Sequence, residues 1–472
     1  MEMSNRQPPV PRFPMAREDL LTFLRSQPAT LLADLLAELA ADHDDVRKRL
    51  ERMQLADSPA KLSASFGKQL AAWKRSRRFH DYGDAPGFAA KLEQWLNQVA
   101  RELTPRDPAA AAALFEAFIE MDGHWFESAD DSDGDIGDAV CAACRNWLQA
   151  AARCETPAEV WRERLLELAD GDEYGARQEL LQEAGTLLPE AEIRAAVDDL
   201  ERRMAALVTK HASASKMPYG VIKVSSAMSL LGQALGDPDV KVRSVLSYRS
   251  DPNPMQQEQF VRAYLDAGRA ADAMKWLQED WGRLDDRRQR LLAEAYAQLG
   301  QPELSHPIRK RLFEDVPSVE AVRLWIDGLL PRDQAPAQEH AKAVAMTIAD
   351  PTRAALILME LGAQHEAERV LVDKAEAIDG SDYITLPELA KTLEQRGLVR
   401  GAVAIYRALM GRILERAYAP AYGHAARYLA CLRAIASDGV DLAPLVPHQS
   451  VEDVLRTKHG RKSAFWARVD GA

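Results

Sequence analysis

The chain has 472 residues, of which 47% are hydrophobic and 28% are charged, a composition typical of a folded protein with ample apolar material for a core. Its 72 acidic and 60 Lys or Arg residues give a net charge of −12, which disfavours non-specific binding to nucleic acid or to an anionic membrane. Four cysteines do not make a disulfide framework, and no segment has the roughly 20 apolar residues needed to span a bilayer. We therefore expect a cytoplasmic protein without a membrane segment.

The first residues of the chain differ from the rest in composition. Residues 1–16 contain four prolines and no apolar signal core, so we predict a disordered, Pro-rich tail. Helical periodicity begins soon afterwards, in "TLLADLLAELAADHDDVRKRL". This stretch predicts an amphipathic helix whose leucines share one stripe, namely Leu31, Leu32, Leu35, Leu36 and Leu39.

Two later stretches of the first half have complete helix boundaries. In "RDPAAAAALFEAFIEMDG", Asp107 is a predicted cap, Pro108 suits the first turn, and Gly123 is a predicted stop. In "TPAEVWRERLLELADG", Thr156 is the predicted cap and Gly171 the stop. We interpret residues 17–210 as an irregular region of helix pairs that resembles HEAT repeats in its packing.

Strand patterns are almost absent. One candidate remains, "YGVIKVSS" from Tyr219 to Ser226, and it is short and isolated. We interpret residues 211–255 as a connector that contains a helix. The segment "SYRSDPNPMQ" at its end has two prolines and turn-forming Asp and Asn residues, and it opens the second half of the chain.

The second half contains an internal repeat. In "AYLDAGRAADAMKWL", "LMELGAQHEAERVL" and "TLEQRGLVRGAVAIY", a helix ends at a glycine and another helix begins at once. A small residue follows five positions after each glycine and a large one nine positions after, as two tightly crossing helices require. The glycines are Gly268, Gly362 and Gly397, the small residues Ala273, Ala367 and Ala402, and the large ones Leu277, Leu371 and Tyr406.

A fourth copy is degenerate. "AYAQLGQPELSHPIRK" keeps the first helix and Gly300 but has Ser305 and Arg309 at the small and large positions. With one further unit between Gly300 and Gly362, the period is near 34 residues, which resembles tetratricopeptide repeats. We therefore predict an all-α fold, an α-α superhelix of antiparallel helix pairs. Its repeats occupy residues 256–437 and a C-terminal capping segment occupies 438–472.

Several stretches between Phe126 and Val469 also resemble a known family. They are "FESADDSDGDIGD", "DEYGARQELL", "YLDAGRAADAMKWL", "AIYRALMGRILERAYAPAYGHAARYL" and "KHGRKSAFWARV". As an ordered set they resemble the uncharacterised bacterial DUF6880 family of helical-repeat proteins, and the helical region of some SWIM zinc-finger proteins. This resemblance implies a helical scaffold and no catalytic residues. The Cys-x-Cys and Cys-x-His zinc motif of SWIM domains is absent, so their zinc and nucleic-acid binding are not implied.

The acidic stretch "ADDSDGDIGD" raises the question of calcium. An EF-hand-type loop would use alternating carboxylates such as Asp131, Asp133 and Asp135, with Gly at position 6 and Glu at position 12. With Gly134 at position 6, Ala129 stands at position 1 and Val140 at position 12, and neither can be a side-chain ligand. A frame that starts at Asp131 has Ile136 at position 6 and Ala142 at position 12, so each frame fails at two positions. We favour an acidic turn whose last aspartates sit at the N-terminus of a helix around residues 140–149.

Two cysteines form the motif "CAAC". Cys141 and Cys144 have the spacing of a redox pair or half a zinc site, but the chain has no second pair at finger spacing. His124 and Cys154 would complete a zinc site only if the fold brought them near. Both cysteines share a predicted apolar helix face, so we favour buried thiols that pack as small hydrophobic groups. We expect no metal and no cofactor.

Two segments combine basic and aromatic residues. Residues 73–82, "WKRSRRFHDY", contain Lys74, Arg75, Arg77 and Arg78 with Trp73, Phe79 and Tyr82; residues 456–468 contain Arg456, Lys458, Arg461, Lys462 and Arg468 around Phe465 and Trp466. Such a pattern suits phosphate contact and base stacking. It equally suits a helix end whose aromatic residues pack on a neighbour while the cations stay solvated. We favour the second interpretation for both, and for the C-terminal segment an end cap.

The chain lacks the short motifs of the common enzyme classes. It contains no G-x-S-x-G, H-E-x-x-H, Walker A or G-x-G-x-x-G sequence. The leading hypothesis is a non-catalytic helical-repeat scaffold for an unidentified protein or peptide partner. The alternative is a nucleic-acid-associated protein that uses residues 73–82 or 456–468. In either case the candidate partner or nucleic-acid contacts are Lys74, Arg75, Arg77 and Arg78 in the first segment and Arg461 and Lys462 in the second. An enzyme of unidentified reaction comes third.

Overall fold

The computed structural model describes residues 17–54, 58–211 and 217–470. Within these ranges the chain forms 26 α-helices and no β-strand, and one isolated bridge joins His80 to Ala129. The predicted all-α class is therefore confirmed. The predicted tail, residues 1–16, lies outside the described residues. None of the described helices has both the length and the apolar composition needed to cross a membrane.

The chain divides into two compact units, residues 1–251 (unit 1) and residues 252–472 (unit 2). The helices of unit 1 are α1 (Arg17–Arg25), α2 (Ala29–Asp42), α3 (Asp44–Gln54), α4 (Pro59–Arg75), α5 (Ala85–Gln98), α6 (Pro108–Ile119), α7 (Asp122–Ser128), α8 (Asp135–Ala151), α9 (Ala158–Asp170), α10 (Glu179–Gln182), α11 (Glu190–Lys210), α12 (Tyr219–Ala234) and α13 (Pro238–Leu246). Large aromatic side chains fill the first part of their core, with Trp95, Phe118, Trp125 and Trp147 fully buried. Because these rings come from four helices, they fix α5, α6, α7 and α8 against one another.

Two of the four helix boundaries predicted in unit 1 are confirmed, the start of α6 at Asp107 and the stop of α9 at Gly171, which holds its C-cap position. The Asp107 carboxylate accepts a hydrogen bond from the Ala110 amide at 2.9 Å, and α6 begins at Pro108, as predicted. The predicted stop at Gly123 is wrong, because α6 already ends at Ile119 and Gly123 lies inside α7. The predicted cap by Thr156 is also wrong, since Pro157 holds the cap position of α9 without a side-chain bond.

Two other predictions for unit 1 need correction. The strand candidate from Tyr219 to Ser226 is the first half of helix α12, whose buried residues Val221, Val224, Met228 and Leu231 recur at helical spacing. Its β-branched residues gave a strand-like composition, but burial along one face of a helix decided the conformation. The leucine-rich stretch is divided between α2 and α3, and α2 has no buried residue.

Unit 2 contains the remaining 13 described α-helices. They are α14 (Pro254–Asp266), α15 (Ala270–Ala273), α16 (Asp285–Gln298), α17 (Pro302–Asp315), α18 (Val319–Ile326), α19 (Pro331–Thr347), α20 (Pro351–Glu360), α21 (Gln364–Asp373), α22 (Thr385–Gln395), α23 (Val399–Glu415), α24 (Tyr422–Ser437), α25 (His448–His459) and α26 (Ser463–Asp470). The first begins with a capping box, in which the Asn253 side chain accepts from the Gln256 amide and the Gln256 side chain accepts from the Asn253 amide. This pair of bonds explains why "SDPNPMQ" opens a helix.

Four glycines end the first helices of their pairs with one geometry. Gly268, Gly300, Gly362 and Gly397 have φ values of 68°, 70°, 72° and 76°. In each case the amide of the next residue donates to the carbonyl five residues earlier, as Leu398 does to Leu393 at 2.8 Å. This Schellman motif needs a left-handed residue, which a side chain disfavours, and it directs the chain straight into the second helix.

The small residues of the predicted repeat lie at helix crossings. Ala273, Ala367 and Ala402 are fully buried, which confirms their predicted placement. At the degenerate position the Ser305 hydroxyl is buried and donates to the Ala293 carbonyl at 2.7 Å, so a polar residue fits without an unpaired group. Helices α18 and α19 fill the interval before α20. The division into HEAT-like and tetratricopeptide-like halves stays a prediction.

Candidate functional site

The segment Trp73–Tyr82, called the basic loop below, runs from the end of α4 to the turn before α5. Trp73 anchors it, since its indole packs edge-on against Trp95 and Trp125 at centroid distances of 6.1 and 6.0 Å. The carbonyl of Trp73 lies 2.9 Å from His124 Nε2. Both contacts hold the start of the basic loop to the core of unit 1.

The other two aromatic side chains of the basic loop face solvent. Phe79 is 60% exposed and Tyr82 is 59% exposed. The interpretation that aromatic residues anchor this helix end therefore holds for Trp73 and is wrong for Phe79 and Tyr82. Their exposure follows from the backbone, because residues 76–79 have no regular structure and follow the last turn of α4.

The cations of the basic loop differ in their partners. Arg78 Nη2 lies 2.7 Å from Asp84 Oδ2, in an exposed ion pair. Lys74, Arg75 and Arg77 are exposed, and no described carboxylate lies within ion-pair distance of them. Lys74 and Arg75 occupy the last turn of α4, where positive charge meets the negative end of the helix dipole. Three of the four cations are thus available to an anionic partner.

The acidic stretch lies directly beside the basic loop. The His80 amide donates to the Ser128 carbonyl at 2.8 Å, and the Asp130 amide donates to the His80 carbonyl at 2.9 Å. A hydrogen bond to the Asp133 carboxylate raises the pKa of the Tyr82 phenol. These aspartates place negative charge next to the exposed cations, which lowers the positive potential of this surface.

Within the acidic stretch, Asp131 has a defined structural role. Its two carboxylate oxygens accept from the Ile136 amide at 2.7 Å and the Gly137 amide at 3.2 Å, at the N-terminus of α8. The helix begins at Asp135, earlier than predicted, and Asp135 and Asp138 lie in its first turn. The predicted role in starting a helix is confirmed, although the capping bonds come from Asp131 rather than from the last aspartates.

The residues considered as metal ligands do not form a ligand set in the part of the chain that the structure describes, since no three His, Cys, Asp or Glu side chains gather there. Cys144 is fully buried, and burial raises the pKa of its thiol well above the ordinary value. Cys141 is half-buried and donates to the Ala176 carbonyl at 3.4 Å, and its thiol pKa is also raised by burial. Protonated thiols are poor nucleophiles and poor ligands.

The C-terminal basic segment is packed differently from the basic loop. Phe465 is fully buried and Trp466 is 8% exposed, and the ring of Phe465 meets Tyr422 of α24 edge-on at 6.1 Å. The Arg456 guanidinium lies 4.4 Å from the centroid of Trp466. The predicted docking of both aromatic residues is confirmed. Of the two predicted contact residues, Arg461 is exposed and Lys462 is half-buried.

One buried ion pair in unit 1 was not foreseen. Arg177 Nε and Nη2 each donate at 2.7 Å to the Asp122 carboxylate, and Arg177 Nη1 donates to the Leu168 carbonyl at 2.9 Å. Asp172 accepts the Arg177 amide and three neighbouring amides. The motif "DEYGARQELL" therefore builds a loop that places a bidentate arginine against α7. This role is structural, because every polar atom of the pair has a partner.

A groove in unit 2 was also missed. Three successive first helices, α14, α16 and α18, line it together with α17, and its volume is about 720 Å³. Glu258, Leu291 and Leu324 line it at intervals of 33 residues, close to the repeat period. The 33-residue interval was the sequence evidence for a shared surface, because corresponding positions of stacked repeats line one surface.

Charged side chains of both signs line this surface, which is called the arginine groove below. Its four arginines are Arg262, Arg287, Arg290 and Arg309, and its three glutamates are Glu258, Glu294 and Glu320. Glu258 Oε1 lies 2.8 Å from Arg262 and Oε2 lies 3.3 Å from Arg287, and these arginines hold the pKa of Glu258 below its ordinary value. Arg290 has no hydrogen-bond or ion-pair partner among the described residues, and Arg309 donates only its Nη1, to the Leu324 carbonyl. The groove therefore presents unpaired guanidinium donors beside leucine side chains.

Comparison with known proteins gives the family. A family model described as "Family of unknown function (DUF6880)" matches residues 23–468. No curated protein matches the chain. A solved structure described as "Circular tandem repeat protein with novel repeat topology and enhanced subunit contact surfaces" is 16% identical over 93% of each chain, with a TM-score of 0.20. At that TM-score the two folds do not superpose as wholes. Because the family model matches nearly the whole sequence, the chain belongs to the DUF6880 family.

Proposed function

We propose that the protein is a non-catalytic interaction scaffold whose arginine groove binds a linear peptide that contains acidic residues. Two guanidinium groups with free donors carry this proposal: Arg290 has no partner among the described residues, and Arg309 uses only its Nη1, in a groove that crosses three helix pairs. A cytoplasmic location belongs to the same proposal, since all four cysteines are free thiols.

The chemistry of the groove selects for carboxylates. A guanidinium holds a carboxylate through two parallel N–H donors, and this chain already uses that geometry between Arg323 and Glu360. Arg290 and Arg309 each retain such a pair of donors. The buried Glu258 is neutralised by its own arginines, so it opposes an acidic ligand only weakly.

The apolar part of the groove supplies a second contact. Leu324 is 49% exposed and lies beside the guanidinium of Arg309, whose Nη1 reaches its carbonyl. A volume of about 720 Å³ lies within the usual range of ligand sites. A short segment with an acidic residue and a neighbouring large apolar residue satisfies both contacts at once.

The test is a selection of random peptides displayed on phage, with the full chain as bait. We expect enrichment of Asp or Glu next to a large apolar residue. A fluorescent peptide of the enriched sequence should lose at least tenfold in affinity for the Arg290→Glu variant, because the substitution reverses a guanidinium contact. Its affinity for the wild-type chain should fall as salt is raised.

The matched control is Arg311→Glu, a reversal of an exposed charge on α17 that does not line the groove. It makes the same change in net charge as Arg290→Glu. Equal loss in both variants would assign the effect to general electrostatics and reject the groove. Selection without acidic enrichment would reject it as well.

A second candidate function has one observation in its favour. Exposed Phe79 and Tyr82 beside unpaired Lys74, Arg75 and Arg77 have the composition of a surface that stacks single-stranded bases. The test is a titration of labelled single- and double-stranded oligonucleotides at low salt. Salt-sensitive micromolar binding that disappears when Lys74, Arg75, Arg77 and Arg78 are all replaced by Ala would favour this function over the scaffold.

A further inference from the structure

Four successive helices of unit 1, α9, α10, α11 and α12, surround a cavity of about 390 Å³. Helices α10 and α11 each pack against both α9 and α12, so the four helices form a ring. The pairs that face each other across the ring, α9 with α12 and α10 with α11, make few direct contacts. We call the space that all four helices line the helix-ring cavity. Spaces between packed helices are a frequent place for small-molecule sites, and this volume is within their usual range.

Apolar side chains from all four helices line the helix-ring cavity. They include Leu166 and Ala169 of α9, Leu181 of α10, Leu200 of α11, and Ala227 and Leu230 of α12. Four of these residues, two from α9 and two from α12, pack against the core of unit 1 and are only partly buried. The cavity is therefore a place where apolar surface continuous with the core is open to another molecule.

A cluster of three charged residues ties the helices together at the cavity. Asp170 ends α9, and Arg203 Nη2 of α11 lies 3.0 and 3.2 Å from its two carboxylate oxygens. Lys223 of α12 donates to the Asp170 carbonyl, and its Nζ lies 3.9 Å from Asp170 Oδ1. Both cations are thus engaged by one residue, and the cluster bridges α9 to α11 and to α12.

The other charged residues of the lining also have partners. Arg177 is paired with Asp122, and the Asp172 carboxylate accepts four backbone amides. Asp199 Oδ2 lies 3.6 Å from Arg162 Nε. The lining therefore contains equal numbers of acidic and basic residues, and each of them is already neutralised. A charged ligand would find no free counter-charge here, so the cost of removing its charge from water would not be offset.

We propose that the helix-ring cavity is a binding site for a small, uncharged, largely apolar molecule. Its apolar walls favour the transfer of such a molecule from water, and its balanced charges do not oppose it. The side chains of Gln178, Tyr219 and Ser226 line the cavity and have no hydrogen-bond partner among the described residues. They offer donors and acceptors to a single hydroxyl, carbonyl or amine group of the ligand. The site is independent of the arginine groove, which belongs to unit 2.

The experiment compares two fluorescent probes on the full chain. N-phenyl-naphthylamine is uncharged, and anilinonaphthalene sulfonate has the same rings with one added sulfonate. We expect the uncharged probe to bind at micromolar concentration, to gain fluorescence, and to raise the thermal midpoint of the chain. The sulfonate should bind about tenfold more weakly, because its charge has no free partner in the cavity. A sulfonate that binds as tightly as the uncharged probe would overturn the proposed ligand class, and absence of binding by the uncharged probe would overturn the site.

Two substitutions fill the cavity from facing helices, Ala227→Trp on α12 and Ala169→Phe on α9. Each should weaken binding of the uncharged probe about tenfold or more, because the new side chain occupies the volume that the probe needs. Thermal unfolding without the probe checks that each variant is folded, and with two variants the result does not depend on one that overpacks.

The matched control is Ala205→Trp, at an exposed residue of α11 that does not line the cavity. It adds the same aromatic side chain as Ala227→Trp, and its affinity for the uncharged probe should equal that of the wild-type chain. Unchanged binding in both filling variants would overturn the proposal, since the probe would then use another surface. An equal loss in the control would overturn it as well, because the loss would not depend on the cavity.

Discussion

The basic loop and the C-terminal segment 456–468 have nearly the same composition and opposite packing. Each combines clustered Arg and Lys with two or more aromatic residues. In the C-terminal segment Phe465 and Trp466 are buried, whereas in the basic loop Phe79 and Tyr82 are 60% and 59% exposed. Composition therefore does not determine whether the aromatic residues of such a segment are buried against a neighbouring helix or exposed to solvent.

The difference comes from the backbone that carries the aromatic residues. Phe465 and Trp466 lie on α26, which packs against α24, and the Trp466 indole donates to the His459 carbonyl at 3.0 Å. Phe79 and Tyr82 lie between helices, where the backbone pairs with residues 128–130 instead. A helix that docks on a neighbour buries adjacent rings together, while a loop held by its main chain leaves its side chains in water.

The largest expected contrast concerns the aromatic residues themselves. Phe465→Ala should lower the free energy of unfolding by about 3–5 kcal/mol, because it leaves a cavity in a fully buried site. Phe79→Ala should change it by no more than about 0.5 kcal/mol, since the ring is already in water. Denaturant unfolding of both variants, followed by circular dichroism, measures the difference. Equal losses of unfolding free energy would mean that Phe79 is packed as tightly as Phe465, which would contradict the exposure of Phe79.

A second contrast concerns Glu452, which pairs with the C-terminal segment, and Asp84, which pairs with the basic loop. Arg433 and Arg456 hold the pKa of Glu452 below its ordinary value, with Arg433 Nε at 3.2 Å and Arg456 Nη2 at 3.3 Å from its carboxylate. Glu452→Gln should lower the free energy of unfolding by about 2 kcal/mol at neutral pH. Asp84→Asn, at the exposed partner of Arg78, should change it by no more than about 0.5 kcal/mol.

The pH dependence of the Glu452→Gln effect follows from the direction of that pKa shift. A carboxyl whose pKa is lower in the folded state than in the unfolded state stabilises the fold above the unfolded value, about 4.3 for Glu. That contribution is lost as the pH falls through the folded pKa. The gap between wild type and Glu452→Gln should therefore be constant near neutral pH and shrink below about pH 4. A gap that widens on acidification would contradict the assigned ion pairs.

Several features set by neighbouring residues were predictable from the sequence, although the stop at Gly123 and the cap at Thr156 were not. The glycine turns at 268, 300, 362 and 397 need only a left-handed residue between two helices, and all four have that conformation. The Asp107 cap, which involves residues three apart, was likewise correct. Ala273, Ala367 and Ala402 could be placed at crossings because the repeat supplied their partners.

Features that join distant residues were not predictable. Arg177 reaches Asp122 across 55 positions, and nothing in either local sequence indicates the other. The arginine groove combines side chains from four helices, so its charge emerges only after the helices pack. The stretch at Tyr219 was a strand candidate within a connector that was expected to contain a helix, and one buried helical face settled its conformation.

The smallest expected contrast concerns one arginine from each cluster. Arg456 covers the Trp466 ring at 4.4 Å, while Arg78 makes a single exposed contact with Asp84. Arg456→Ala should lower the free energy of unfolding by about 1 kcal/mol, through lost ring contact and lost pairing with Glu452. Arg78→Ala should lower it by about 0.3 kcal/mol, and that effect should disappear in high salt, because exposed ion pairs are screened. A double-mutant cycle between Arg456→Ala and Trp466→Leu isolates the ring contact, which we expect to persist in high salt. If the coupling between Arg456 and Trp466 vanished in high salt as the Arg78 effect does, the Arg456 guanidinium would be solvated. The two segments would then differ only in the burial of their aromatic rings.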